Sequence, residues 1–338
     1  MRGLYFLLAV VCVAVLAPHG DRASAAGPRV VPFARASPLA WPRSGRAVAA
    51  GNPEPYPSPG TRLVDQGFDD EKTPPNAFAF IDQACLTAGT KQQPGSVPPC
   101  GNLAPQDKNG HGVLENTNLN TYLDSWVSYQ KPLSTLLGIQ VAFTIYSWGG
   151  GGADGQLLFF TDASMGPPNN IGQNGGELGY TGGGENGPPG LNYAYVGIGF
   201  DEFGTFSENN APVGLNGGVG HIPETIAVRG AAATGYYYIG GALDPQGQPA
   251  SLPFNWNQSS PQRPSTGPTV FVTLSPTGYL TVAVDIHNGA GFITYYAQSI
   301  VGVAGEPPVP ESVYIGITGS NGGVTGRHQI GDLNIWSM

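Results

Sequence analysis

The sequence is poor in charge, and the few charged residues are spread out. Only 11% of the 338 residues are charged, with 23 acidic and 14 basic side chains. No cluster of Lys or Arg lies after residue 61, although binding to a phosphate backbone requires a basic face. We therefore expect no nucleic-acid partner.

Helical periodicity and long apolar runs are also missing. No segment repeats its apolar residues with a helical period, and none approaches the ~20 apolar residues of a membrane-spanning helix. The apolar run 4–16 is too short to span, but Arg2 precedes it and the small residues Ala23-Ser24-Ala25 follow. This arrangement predicts a secretory signal over residues 1–25 and an exported mature chain without a transmembrane segment, with a retained N-terminal anchor as the less favoured alternative.

Cysteine is scarce, with three in the whole chain. Cys12 lies inside the predicted signal and would leave with it. Cys85 and Cys100 remain as a pair in an oxidising compartment, which predicts a disulfide. A metal site is not favoured there, because no His or further Cys stands at ligand spacing nearby.

Glycine and proline are abundant, and they separate short runs in which apolar residues recur at every second position. Residues 26–61 are rich in Pro, Ala and Arg without periodicity, which predicts a flexible linker. Residues 62–338 are strand-like, and Ser275–Gly278 has the composition of a hairpin turn. The pattern predicts an all-β sandwich of two sheets. The predicted strands include 139–148, 156–162, 193–200, 225–229, 270–274, 279–285, 292–297, 312–318 and 329–336.

The stretch 193–210 combines a buried strand with an oxygen-rich loop. The strand ends at Phe200, and the loop then carries Asp201, Glu202, Glu208, Asn209 and Asn210. Calcium takes six to eight oxygen ligands, so such a loop can bind it. The alternative is a solvated loop of ordinary turn residues.

Four blocks occur in one order, and two shorter blocks precede them. They are GADGQLLFF (152–160), GGELGY (175–180), VGIGFDEFG (196–204) and GSNGGVTGRHQIGDLNIWS (319–337), after ACLTAGT (84–90) and HGVLENT (111–117). Together they resemble the L-type (legume-like) lectin domain, in particular its bacterial secreted branch. The resemblance covers residues 62–338. It implies a concanavalin A-like jelly-roll sandwich of two antiparallel sheets, with a glycan bound at loops over the concave sheet.

The resemblance also implies which residues bind sugar. Asp154 matches the monosaccharide-binding Asp of the family, and the Ala153–Asp154 bond matches one that is cis in the family. Gly176 matches a glycine whose backbone N–H contacts the sugar, and its missing Cβ permits close approach. Gly323 and Val324 match loop positions that donate further backbone bonds and set specificity.

The metal ligands of the family match only in part. Asp201 matches a bridging Asp and Phe203 a backbone-carbonyl ligand. Thr205 stands at an Asn that binds both calcium and sugar, and Asn209 stands at a second Asp. Gly199 replaces a Glu, so we expect the transition-metal site to be lost. A single, weakly held calcium ion is the one cofactor that the sequence leaves open.

Three functions remain open at this stage. The resemblance favours a secreted, non-catalytic lectin-like protein. The departures at Gly199 and Thr205 leave a structural or adhesive surface protein with a degenerate site as the alternative. A glycoside hydrolase is less favoured, because Gly199 and Gly204 replace two acids of the Glu-x-Asp-x-x-Glu strand typical of glucanases with this architecture.

Overall fold

The computed structural model of the protein describes residues 60–338. The predicted signal peptide, 1–25, and almost all of the predicted linker, 26–61, lie outside the described residues. The division of the chain into these segments and a domain over 62–338 stays a prediction.

Strands and 3-10 turns account for all regular structure in the described part of the chain. The strands are β1 Arg62–Gln66, β2 Phe78–Ile81, β3 Cys85–Leu86, β4 Leu114–Thr117, β5 Leu123–Tyr129, β6 Leu133–Ser134, β7 Ile139–Trp148, β8 Gly155–Asp162, β9 Ala194–Asp201, β10 Thr225–Arg229, β11 Tyr238–Gly241, β12 Asn257–Gln258, β13 Thr269–Leu274, β14 Tyr279–Asp285, β15 Ile293–Ser299, β16 Ser312–Asn321 and β17 Arg327–Ser337. The 3-10 turns are Gly101–Leu103, Ala163–Met165, Gly175–Glu177, Gly184–Asn186, Thr205–Ser207, Ala211–Val213, Ala232–Thr234 and Val303–Gly305. Within residues 60–338 no helix has the length and hydrophobicity that a membrane span requires.

The strands form two sheets. The nine-stranded sheet has the order β15-β14-β13-β7-β17-β4-β3, with β1 beside β17 and β12 beside β7. The eight-stranded sheet has the order β11-β10-β9-β8-β16-β5-β2, with β6 beside β16. All pairs are antiparallel except β12 with β7. The predicted all-β sandwich of two antiparallel sheets is confirmed.

The main core contains alternate side chains from both sheets. On β7, Val141, Phe143 and Ile145 belong to it, as do Val270 and Val272 on the neighbouring β13. Successive side chains of a strand point to opposite faces, so the period of two in the sequence becomes one buried face. The turn after β13 has the predicted position, with the Gly278 N–H donating to the Ser275 carbonyl at 3.0 Å.

The eight-stranded sheet is covered on both faces. On β8, Leu158 and Phe160 belong to the main core, whereas Leu157 and Phe159 belong to a second apolar cluster with Leu178, Tyr180, Phe206 and Leu215 from the loops. A strand buried on both faces reads as a continuous apolar run, which accounts for the sequence QLLFF.

Two glycines on β9 make room for the aromatic rings of these loops. A Cβ on Gly197 would lie 2.8 Å from the Tyr180 ring, and a Cβ on Gly199 would lie 2.6 Å from the Phe206 ring. The alternation VGIGF thus presents apolar side chains to the main core and a flat surface to the loops. Phe206 occupies the space in front of Gly199.

The predicted disulfide is confirmed. Cys85 at the start of β3 is bonded to Cys100, with the two Cα atoms 4.8 Å apart. Both side chains are buried in a small cluster with Ala104.

Candidate functional site

Asp154 lies where three neighbouring strands of the eight-stranded sheet end. Gly155, the first residue of β8, pairs with Asp201 on β9 and with Ser320 on β16. The Asp154 N–H donates to the Ser320 carbonyl at 2.9 Å, and the Asp154 carbonyl accepts from the Glu202 N–H at 3.0 Å. The Ala153–Asp154 peptide bond is cis, as the resemblance implies. The residue is therefore positioned by main-chain bonds to both neighbours.

The carboxyl group of Asp154 is buried and only partly satisfied. The residue is 6% exposed, and its Oδ2 has no hydrogen-bond partner. Burial raises its pKa to about 6, although the nearby backbone of Gly322 lowers it. A Cβ on Gly322 would lie 2.9 Å from Oδ2. A buried carboxylate oxygen normally has a partner, so this atom is a candidate ligand acceptor.

Gly176 and Thr205 lie in direct contact near this carboxyl group. Gly176 is in the 3-10 turn Gly175–Glu177, and a Cβ there would overlap the Cβ and Cγ2 of Thr205. Strand β16 also contacts this turn, because the Ser320 hydroxyl donates to the Gly175 carbonyl at 3.0 Å. Two of the sequence-predicted residues are thus neighbours, although they are 29 positions apart.

The turn after β16 contributes the other predicted residues. Gly323 has open space around it, since the nearest atom to a Cβ there would be the Tyr122 hydroxyl at 3.6 Å. Val324 is exposed and lies against Gly151. We call Asp154, Gly176, Thr205, Gly322 and Gly323, with Val324 at its edge, the Asp154 site.

Two further residues border the Asp154 site without having been predicted. Tyr122 is 70% exposed, and its N–H donates to the Gly322 carbonyl at 2.9 Å. Glu177 is buried in the GGE turn; burial raises its pKa to about 7, and the nearby Asp154 carboxyl raises it further. In the sequence Glu177 is one residue of the GGE turn and Tyr122 is a lone aromatic, so no local pattern places either of them beside Asp154. Gly322, which faces Asp154, precedes the predicted Gly323 by one residue.

The predicted metal ligands are arranged differently from a calcium site. Asp201 is fully buried, and its two oxygens accept from the N–H groups of Gly204 and Phe206 at 2.8 and 2.9 Å. Burial raises its pKa well above the usual range. Phe203 and Asn209 are exposed. Residues 60–338 contain no group of three or more His, Cys, Asp or Glu side chains that could hold a metal ion.

This arrangement does not fit calcium at the four predicted positions. Calcium takes six to eight oxygens, and Asp201 is the only carboxylate among Asp201, Phe203, Thr205 and Asn209. Both of its oxygens are already engaged by the main chain of its own loop. The adjacent Glu202 accepts from His328 Nε2 at 3.0 Å and from the Ser147 hydroxyl, on the other side of the sheet end.

His328 lies in a structural environment. It is fully buried, and its Nδ1 is 2.6 Å from the Thr117 hydroxyl. Its Nε2 bonds Glu202. The imidazole thus links β17 to β4 and to the end of β9.

A cleft of about 690 Å³ lies elsewhere, beside the nine-stranded sheet. Its lining includes Asp107, Tyr146, Trp148, Arg263 and Asp332, and none of the predicted site residues. Arg263 closes part of it by pairing with Asp107 at 2.7 Å and by lying over the Tyr146 ring. The cleft and the Asp154 site are therefore separate places on the molecule.

No protein-family model matches this chain, and no curated protein matches it. Several solved structures do resemble it. Lectin I-B4 from Griffonia simplicifolia, in a metal-free form, is 15% identical, with 80% of this chain and 98% of that chain covered and a TM-score of 0.48. Peanut lectin with a 9-mer peptide is 20% identical, with 81% and 97% covered and a TM-score of 0.46. The VIP36 exoplasmic/lumenal domain with Ca²⁺ and Man3GlcNAc bound is 14% identical, with 78% and 83% covered and a TM-score of 0.46. At these identities the likeness concerns the fold alone.

Proposed function

We propose that this chain is a secreted, non-catalytic lectin-like protein that binds a glycan at the Asp154 site. The observation that carries the proposal is the buried Oδ2 of Asp154, which has no hydrogen-bond partner and lies where three strand ends meet. A sugar hydroxyl can donate to this oxygen, and hydrogen bonds to a charged acceptor are the stronger kind.

The surroundings of Asp154 suit a sugar ring. Gly322 and Gly323 bring the backbone close without a side chain in the way. The exposed ring of Tyr122 stands beside them and offers an apolar face to the C–H groups of a sugar. The proposed ligand is neutral, because Asp154 and Glu177 would both repel an acidic sugar, and the low basic content makes nucleic acid an unsuitable partner.

The chain lacks the pair of acids with which glucanases of this architecture cleave glycosidic bonds. Glycoside hydrolysis uses two carboxylates about 5–10 Å apart across a cleft. Glycine occupies the positions of the first and last acids of the Glu-x-Asp-x-x-Glu pattern, at Gly199 on β9 and at Gly204 in the loop that follows. Asp201 is buried with both oxygens engaged, so it cannot reach a substrate.

Secretion is proposed from two features. The residues before Ala26 have the composition of a cleaved signal, and the Cys85–Cys100 disulfide is compatible with an oxidising compartment. Expression of the full chain with a secretion-competent host, followed by mass analysis of the exported protein, tests this part. A mature N-terminus at Ala26 supports it, and retention of Met1 in the cell contradicts it.

A glycan array tests the binding proposal. The wild type is compared with Asp154→Asn and with Asp65→Asn, a control that removes an exposed carboxylate on β1. We expect the wild type and the control to bind the same glycans and Asp154→Asn to lose them. Running each protein with calcium and with EDTA also tests the single calcium ion predicted from the sequence. If the wild type binds no glycan in either condition, the structural or adhesive alternative is favoured. Cleavage of a glycan on the array would favour a hydrolase.

A further inference from the structure

Arg229, the last residue of β10, is completely buried and donates to four carbonyl groups. Its Nε donates to Phe206 at 2.8 Å, and its Nη2 donates to Glu208 at 2.7 Å. Its Nη1 donates to Asn216 at 2.8 Å and to Tyr236 at 3.2 Å. No side chain other than that of an arginine presents five N–H donors in a fixed plane. The guanidinium thus bonds the carbonyls of Phe206, Glu208 and Tyr236, and it shares the Asn216 carbonyl with the Tyr238 N–H, which donates to it at 2.9 Å.

The guanidinium also lies between two aromatic rings. Its central carbon is 5.2 Å from the centroid of the Phe206 ring and 5.8 Å from that of the Tyr238 ring. Burial lowers its pKa to about 10, while the neighbouring Tyr238 and Asp201 raise it. The group therefore stays protonated at neutral pH, and the rings and carbonyls replace the water that a charge requires.

Three of the four carbonyls belong to one segment, loop 201–216. This loop begins at Asp201, next to Asp154, and it carries Thr205, which contacts Gly176. Its first turn is closed by the bonds from Gly204 and Phe206 to the Asp201 carboxyl group. Beyond that turn the loop is joined to β10 through Arg229. The shape of the Asp154 site therefore depends on this loop.

We propose that Arg229 is the positioning residue of loop 201–216 and that its buried guanidinium, by donating to three carbonyls of the loop, holds the loop without a resident calcium ion. The consequence for binding rests on the function proposed above, whereas the consequence for the loop does not. Both oxygens of Asp201 are engaged by main-chain N–H groups, and the Phe206 ring fills the space in front of Gly199. An internal cation that reaches several carbonyls of the loop makes a resident ion unnecessary.

Hydrogen exchange of the full-length protein tests this inference without any glycan. The exchange rates of the amides in loop 201–216 and the melting temperature are measured in EDTA and in excess CaCl2. For the wild type we expect both to be the same in the two conditions. Arg229→Lys keeps the positive charge but loses the planar set of N–H donors. Arg229→Met keeps a long side chain but loses both the charge and the donors. We expect amide exchange in the loop to rise at least about tenfold in each variant, as for the loss of one or more bonds to a charged group.

The matched control is Arg263→Met. Arg263 also pairs with a carboxylate and lies over an aromatic ring, but beside the nine-stranded sheet. We expect exchange in loop 201–216 to be unchanged in this variant. If a glycan has been identified, its affinity should fall at least about tenfold in the Arg229 variants and stay the same in EDTA.

Two results would overturn the inference. One is a wild-type loop that exchanges faster in EDTA, or a melting temperature that rises with calcium. The other is an Arg229→Lys or Arg229→Met variant with unchanged loop exchange. Should Arg229→Met fail to fold, the wild-type measurements in EDTA and CaCl2 and the loop exchange rates of Arg229→Lys still test the inference. If the array shows no glycan binding while the loop exchange rates follow the expectation, the result counts against the proposed function and not against the role of Arg229.

Discussion

The side chain of Thr205 lies directly against the backbone of Gly176, so that a Cβ on the glycine would overlap the threonine Cβ and Cγ2. The contact joins the GGE turn to loop 201–216 beside Asp154. Close packing makes such a position intolerant of even one added methyl group. The glycine is therefore required by its neighbour, whether or not its N–H contacts a sugar.

Gly176→Ala should destabilise the fold and weaken glycan binding. Overpacking of a filled site costs about 1–3 kcal/mol, and relief by movement of Thr205 would displace the Asp154 site. Chemical denaturation measures the first effect and titration calorimetry the second. Gly323→Ala is the matched control for the stability measurement, since a Cβ there meets only the Tyr122 hydroxyl at 3.6 Å. Equal stability of Gly176→Ala and the wild type would contradict the contact.

Asp154→Asn should abolish binding and leave the protein at least as stable at neutral pH. Burial raises the pKa of Asp154 to about 6 from an ordinary 3.8, so the folded state holds its proton over a range in which the unfolded state has lost it. The stability that protonated Asp154 contributes to the fold is thus fully present below the unfolded pKa and is lost as pH rises through about 6. At pH 7 the ionised, buried carboxylate lowers the free energy of unfolding by about 1–3 kcal/mol. An uncharged amide avoids this cost. A large drop in melting temperature at neutral pH would contradict the reasoning.

Glycan affinity should fall on acidification through the range in which Asp154 takes up a proton. The ionised carboxylate is the acceptor for sugar hydroxyls, and its pKa is about 6. Glu177→Gln should leave the midpoint nearly unchanged, because the pKa of Glu177, raised to about 7, keeps that carboxyl group largely protonated where Asp154 titrates. Calorimetric titrations over a series of pH values measure both midpoints. Affinity that is constant with pH would show that Asp154 is not the acceptor.

Tyr122→Ala should reduce affinity without reducing stability. The side chain is 70% exposed, so its removal takes little from the core, but it removes the ring that can stack on a sugar. Tyr279→Ala, at an exposed aromatic on β14, serves as the control. A loss of affinity in both variants would point to a global effect.

Replacing the disulfide cysteines by serine should lower the free energy of unfolding by roughly 3 kcal/mol, the value for a closed loop of this length. The double variant Cys85→Ser, Cys100→Ser is compared with the wild type by denaturant unfolding under non-reducing conditions. The reduced wild type should match the variant. A difference within the error of the measurement would contradict the expectation.

The architecture was predictable because strand periodicity is a local property. Val270, Val272 and Leu274 share a face wherever the strand lies, since successive side chains point to opposite sides. The resemblance of the blocks then supplied the two-sheet jelly-roll architecture and the neighbourhood of Asp154. The alternation in VGIGF indicated a strand, but it did not show that aromatic rings of distant loops lie against its glycines.

The sequence by itself determined the β class, the turn at 275–278, the Cys85–Cys100 pair and the candidate Asp154. Only the tertiary structure decided that the Asp201 oxygens are engaged by their own loop, that Glu177 lies beside Asp154, and that Arg229 reaches three carbonyls of loop 201–216. In the sequence Arg229 is the end of a strand with no distinguishing mark. The physical reason is that hydrogen bonds join atoms that are close in space, and chain folding brings together residues that no local pattern connects.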